Sequence, residues 1–208
     1  MEGRASKPAP LIAICPPRLP SAMGRTTPDI DDQVRQFIQS QHMFFVATAP
    51  RDDRGLINLS PKGLDTFRIL GPRLVGYADY TGSGVETIAH IRENGRLTIM
   101  FCAFDGRANI LRLYGRGRVV ERADADFAGL AATFDVREGV RAIVLLDVTR
   151  VSDSCGFGVP LYEFRGQRDQ LPAWASKKGE QGLIEYQAKK NTTSLDGLPG
   201  LKSFAPPR

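Results

Sequence analysis

The chain has 208 residues, 42% of them hydrophobic, and a formal net charge of +5. That length suits one domain with a sizeable core plus tails, and the mildly basic balance suits anionic ligands. No Lys/Arg-rich block with interleaved aromatics points to nucleic acid, and no apolar run has the length of a membrane-spanning helix. The three cysteines (Cys15, Cys102, Cys155) are far apart, and there are only two histidines, His42 and His90. Neither a zinc ligand set nor a disulfide framework can be written from these, so a cytoplasmic location is expected.

Residues 1–26 are rich in proline and basic residues and show no period, which predicts a disordered extension, with Met23 as an alternative start of translation. Leu11 to Cys15 is too short an apolar run for a signal-peptide core. Val34, Phe37 and Ile38 share one face of a helix predicted over Asp31 to Ser40. Strands are predicted at Met43 to Ala49, Leu56 to Ser60, Thr66 to Leu70, Arg73 to Tyr77, Leu97 to Phe104, Ile110 to Glu121 and Ala142 to Val151. Gly71-Pro72 makes the third and fourth a hairpin. Helical stretches are predicted at Val85 to Glu93 and Asp124 to Thr133, a short piece around Trp174, and a final helix from Leu183 to Lys190. Many strands at short spacing with few helices predict a mainly β fold, a closed or nearly closed small barrel. A doubly wound sheet would need a helix between most strands. The expected division is the N-terminal extension to residue 26, a barrel domain over 27–151, and a C-terminal extension over 152–208 that packs on the barrel or on a partner.

The run from Tyr80 to Glu86, Tyr-Thr-Gly-Ser-Gly-Val-Glu, joins a strand-like stretch to a helix-like one. Free amides at a helix start and the helix dipole favour a phosphate there, and glycines let a ligand approach the backbone. The same residues also spell a capping box, Ser83-x-x-Glu86, which needs no ligand.

Four segments carry a resemblance: Asn58 to Gly63 (Asn-Leu-Ser-Pro-Lys-Gly), Tyr77 to Gly84, Glu86 to Gly95 and Ile110 to Gly117. In order and rough spacing they resemble the pyridoxamine 5′-phosphate oxidase-like, FMN-binding split-barrel family over about residues 28–150. Cys155 to Pro160, Lys189 to Asn191 and Asp196 to Pro199 resemble an uncharacterised subgroup. The resemblance implies a six-stranded split β-barrel, a homodimer with FMN between the subunits, and an FMN-dependent oxidoreductase acting on a small molecule. By position, Lys62 matches the family's strand lysine at the flavin phosphate and Ser83 its turn serine. Gly84 and Val85 stand where that turn carries Arg and Lys. Two charge-assisted contacts, each typically about 1.5–3 kcal/mol, are thereby absent. Either FMN binds more weakly or other cations serve: Lys62, Arg112, Arg116, or Lys189 and Lys190.

The cofactor-binding set implied is Asn58, Ser60, Lys62, Tyr80, Thr81, Gly82, Ser83, Gly84, Lys189 and Lys190. Flavin chemistry asks little of side chains, so no catalytic residue is named. Asp65, Asp79 and Tyr80 read as hydrogen-bonding residues at turns and strand ends. Trp174 and Arg168 do not reproduce the oxidase's substrate-gripping region, so its substrate is not assigned. Two alternatives stay open: a deazaflavin or haem cofactor, with His42 or His90 as the iron ligand, and a non-enzymatic flavin-binding dimer.

Overall fold

The computed structural model describes residues 24–204. Met23 and nearly all of the expected N-terminal extension therefore lie outside the described residues. Thr26, expected within that extension, is already in a strand, β1 (Thr26–Thr27). Helix α1 (Asp32–Gln39) follows, capped by the Asp31 carboxylate, which accepts from the Val34 amide at 2.9 Å. Its negative charge also suits the positive end of the helix.

The strands are β2 (Phe44–Thr48), β3 (Asn58–Lys62), β4 (Phe67–Gly71), β5 (Leu74–Tyr80), β6 (Arg96–Cys102), β7 (Ile110–Glu121) and β8 (Val140–Ser154). Helix α2 (Glu86–Asn94) lies between β5 and β6, α3 (Phe127–Thr133) between β7 and β8, and α4 (Gln170–Lys190) after β8. All pairings between strands are antiparallel, in the order β3-β2-β6-β7-β8-β5-β4, with β1 on β8. The sheet curls into a split β-barrel whose seam lies between β3 and the β4–β5 hairpin.

The expected count of six strands is corrected to eight. β8 is 15 residues long and pairs with β5 only as far as Asp147. Its remaining edge is filled by β1, through Thr26 opposite Ser152 and Thr27 opposite Val151. An unpaired strand edge carries free amides and carbonyls, and a two-residue strand is enough to cover one.

Alternation fills the barrel. Phe44 and Val46, Leu97, Ile99 and Phe101, Leu111 and Leu113, and Val75 and Tyr77 point inward and form one core cluster. β8 instead reads as an unbroken buried run from Val140 to Leu146, because both of its faces are covered. Val144 and Leu146 face the barrel interior, while Ile143 and Leu145 pack with Phe127 and Phe134 around α3.

The predicted helix around Trp174 and the final helix are two parts of α4, broken at Gly179, whose φ is +63°. A left-handed residue inside a helix ends one set of hydrogen bonds and starts another, so the two parts run in different directions. Beyond α4 the chain returns over α2, where Leu201 is buried against Val85 and Ile88.

Candidate functional site

Strand β3 has a solvent side and a site side. Leu59 is 62% exposed, whereas Asn58, Ser60 and Lys62 are only partly exposed, on the opposite side of the strand. Period-two geometry thus lines up an amide, a hydroxyl and an ammonium. The Asn58 amide donates to the Thr48 and Thr87 hydroxyls at 3.0 and 2.9 Å, and the Ser60 hydroxyl donates to the Asn58 carbonyl oxygen at 3.0 Å. Because Thr48 accepts from Asn58, its own hydrogen is free to go to His90 Nδ1, 3.0 Å away. That arrangement leaves the His90 hydrogen on Nε2, which faces Asp196 at 3.7 Å. His90 is fully buried.

Lys62 crosses the seam. Its ammonium donates to Asp79 Oδ1 of β5 at 2.9 Å, and Arg141 Nε of β8 donates to Asp79 Oδ2, also at 2.9 Å. The side chains of Asp79, Arg141 and Lys62 are 0%, 4% and 25% exposed. Burial by itself would raise the Asp79 pKa, but the two flanking cations outweigh it and hold that carboxyl at about 2. Asp79, read from sequence as a strand-end hydrogen-bonding residue, is therefore the buried anion of a three-strand ion cluster. Tyr77 lies beneath it, its hydroxyl pushed well above the usual range by burial and by Asp79.

A bulge aims Arg141. In the β5–β8 ladder Asp79 faces Ala142 and Tyr80 faces Val140, so Arg141 has no partner and its side chain turns into the seam. Gly139 starts this irregularity with φ +90°, and a Cβ there would come within 2.6 Å of Ala175.

The glycine turn follows directly from β5. Thr81 N–H donates to the Gly139 carbonyl at 2.7 Å. The turn is also held from the far end of the chain: Gln187 of α4 donates to the Thr81 hydroxyl at 2.8 Å, and the buried Asn191 donates to the Gly82 carbonyl at 2.9 Å. The capping box at Ser83 and Glu86 does not form. Val85 occupies the cap position, no side chain caps α2, and the Glu86 carboxylate accepts instead from the Leu195 amide at 3.3 Å. Ser83 is exposed at the mouth of this turn.

The structure thus gathers Asn58, Ser60 and Lys62 on one strand face and Thr81 to Gly84 at the adjoining strand end, whereas the Tyr80 side chain packs in the cluster around α3 with Phe134 and Val140. Lys189 and Lys190 are exposed in the last turn of α4, next to Asn191, which touches the turn. Arg112 and Arg116 are used locally on β7: Arg112 donates to the Ser154 hydroxyl at 3.0 Å and Arg116 to the Asn94 carbonyl. Sequence reasoning missed Thr48, Thr87, Arg141, Gln187 and Asn191. For Asn191 the only signal was its place in a quoted segment; for Arg141 there was none, because a bulge is not visible in a β-rich run. A cleft of about 310 Å³ beside α1, lined by Arg35, His42, Phe44, Phe67 and Arg68 among others, shares no residue with the expected cofactor set.

Comparison with known proteins agrees with this architecture. Residues 30–155 match the family model described as pyridoxamine 5′-phosphate oxidase. The chain is 42% identical over 193 residues to the pyridoxamine 5′-phosphate oxidase family protein ustO of Aspergillus flavus, covering 84% of this chain and 76% of that one. Similar solved structures include HupZ of Group A Streptococcus, at 25% identity and TM-score 0.47, covering 59% of this chain and 91% of that one. Another is an FMN-binding protein of Syntrophomonas wolfei, at 16% identity and TM-score 0.41, covering 57% and 82%. The chain belongs to the pyridoxamine 5′-phosphate oxidase family.

Proposed function

We propose that this protein binds FMN with the phosphate between Lys62 and the Thr81–Gly84 turn, and that it acts as a homodimeric, flavin-dependent oxidoreductase on a small molecule. The observation that carries the reading is Lys62: a partly exposed ammonium anchored to Asp79, two residues before a turn that opens an uncapped helix. A cation, uncapped helical amides and the Ser83 hydroxyl are a donor set suited to a phosphate dianion. Bound flavin would supply the hydride and electron chemistry, and this chain's residues would hold and orient it. Family membership supports the cofactor class.

The dimer reading is supported by Leu59 on the outer face of β3 and Ile57 just before the strand, 62% and 80% exposed. No helix among the described residues is long and apolar enough to cross a membrane. The proposed cytoplasmic location rests on Cys102 and Cys155, both free thiols. Of the two histidines the haem alternative invokes, the buried His90 has its ring nitrogens facing Thr48 and Asp196, while His42 is exposed and stacks on Phe164 at 3.7 Å between ring centroids.

The test is an absorbance spectrum of the purified protein, with mass spectrometry of what it releases on denaturation. Flavin bands near about 370 and 450 nm with FMN released are expected. A colourless protein that ignores added FMN defeats the reading. Lys62→Ala is expected to weaken FMN binding by about tenfold or more, and Ser83→Ala by less, because only the first removes a charge. Reduction of the bound flavin by NADH or NADPH separates an oxidoreductase from a protein that only binds.

A further inference from the structure

The buried cluster at the seam has a charge problem whose solution bears on the anion site. Lys62 is the one cation on the site face of β3, yet it is ion-paired with Asp79 at 2.9 Å. A lysine neutralised by an adjacent carboxylate has little net attraction for a phosphate. Arg141 alters that balance, since its Nε also contacts Asp79, at 2.9 Å on the other carboxylate oxygen. One carboxylate between two cations leaves one net positive charge. Of the three groups only Lys62 reaches solvent, so that charge is presented at its ammonium.

The fold by itself does not explain Arg141. Its Nη1 is buried without a hydrogen-bond partner, as is the hydroxyl of Tyr77 below the cluster. An unpartnered buried donor costs stability, and a guanidinium is an expensive group to bury for the sake of one hydrogen bond. The bulge that turns Arg141 inward is the kind of local irregularity that re-aims a side chain.

We infer that Arg141 is a positioning residue for anion binding: by neutralising Asp79 it frees the Lys62 ammonium for the phosphate of a flavin nucleotide. It thereby stands in for the Arg-Lys pair that Gly84 and Val85 replace, without touching the ligand itself. The inference rests on the FMN reading above and adds which residue makes Lys62 competent.

The test compares FMN with riboflavin, which lacks the phosphate, by fluorescence titration of each protein, with thermal unfolding of the unliganded proteins alongside. Wild type is expected to prefer FMN. Arg141→Gln is expected to lower FMN affinity about tenfold and leave riboflavin affinity unchanged. Arg141→Lys, which keeps the charge, is expected to retain most of the preference. The double variant Asp79→Asn/Arg141→Gln removes both buried charges and leaves Lys62 unneutralised, so its preference for FMN is expected to return. If Arg141→Gln does not fold, the double variant decides alone: a lost preference there means that Arg141 does not act through Asp79. Equal losses for FMN and riboflavin in Arg141→Gln, or an undiminished preference, overturn the inference while leaving the FMN reading intact. A wild-type protein that binds neither flavin overturns both.

Discussion

A carboxylate with no exposed surface and a pKa of about 2 makes Asp79 the residue with the clearest solution signature. Its folded pKa lies below the ordinary value of 3.8. As pH falls below about 4 the unfolded chain takes up the proton first, so stability present above that pH is lost progressively toward pH 2. The contribution at neutral pH is roughly 2 kcal/mol. Thermal unfolding followed from pH 5 to pH 2 should show a falling midpoint, and Asp79→Asn should remove this part of the slope. At pH 7 the same variant is expected to be destabilised by roughly 3–5 kcal/mol, because Arg141 and Lys62 lose their shared partner. Asp79 was legible as a polar residue at a strand end; its burial was not, because both cations that permit it come from distant strands.

At the scale of elements, the glycine turn depends on pieces far apart in sequence. Gly139 accepts from the Thr81 amide, and the end of α4 holds Thr81 and Gly82 through Gln187 and Asn191. Asn191→Ala is expected to cost about 1–3 kcal/mol, because it leaves the Gly82 carbonyl without its donor. Equilibrium denaturation measures this, and faster amide exchange at residues 81–84 would locate the loss. Gly139→Ala combines a positive φ with a collision at Ala175 and is expected to cost about 1–3 kcal/mol on the same assay. Turn and helix were both visible in sequence, the turn from its glycines and α2 from its apolar spacing. That the expected capping box stays unformed was not visible: docking of the segment around Leu195 draws the Glu86 carboxylate away.

For the whole molecule, the exposed apolar face at β3 is one feature a lone barrel leaves unexplained. Leu59, with Ile57 just before the strand, lies on the solvent side of the strand whose other side carries Asn58, Ser60 and Lys62. If that face is the proposed dimer contact, Leu59→Glu should give a monomer by light scattering and lower FMN affinity with it. A stable dimer in that variant would place the contact elsewhere.

By itself the sequence determined seven of the eight strands and the helix after the glycine turn, because alternation and turn chemistry are local properties of the chain; the polar row on β3 was implied by the family resemblance. A closed or nearly closed small barrel was legible too, from strands at short spacing with few helices, while its split form was implied only by the family resemblance. Only the tertiary structure decided the partners of Lys62, the inward turn of Arg141 and the return of residues 187–201 onto the glycine turn. These depend on sheet register, on one bulge and on contacts across more than a hundred residues, as between Asn191 and Gly82. A side chain's charge is written in the sequence, but whether a neighbour cancels that charge is settled only where distant strands meet.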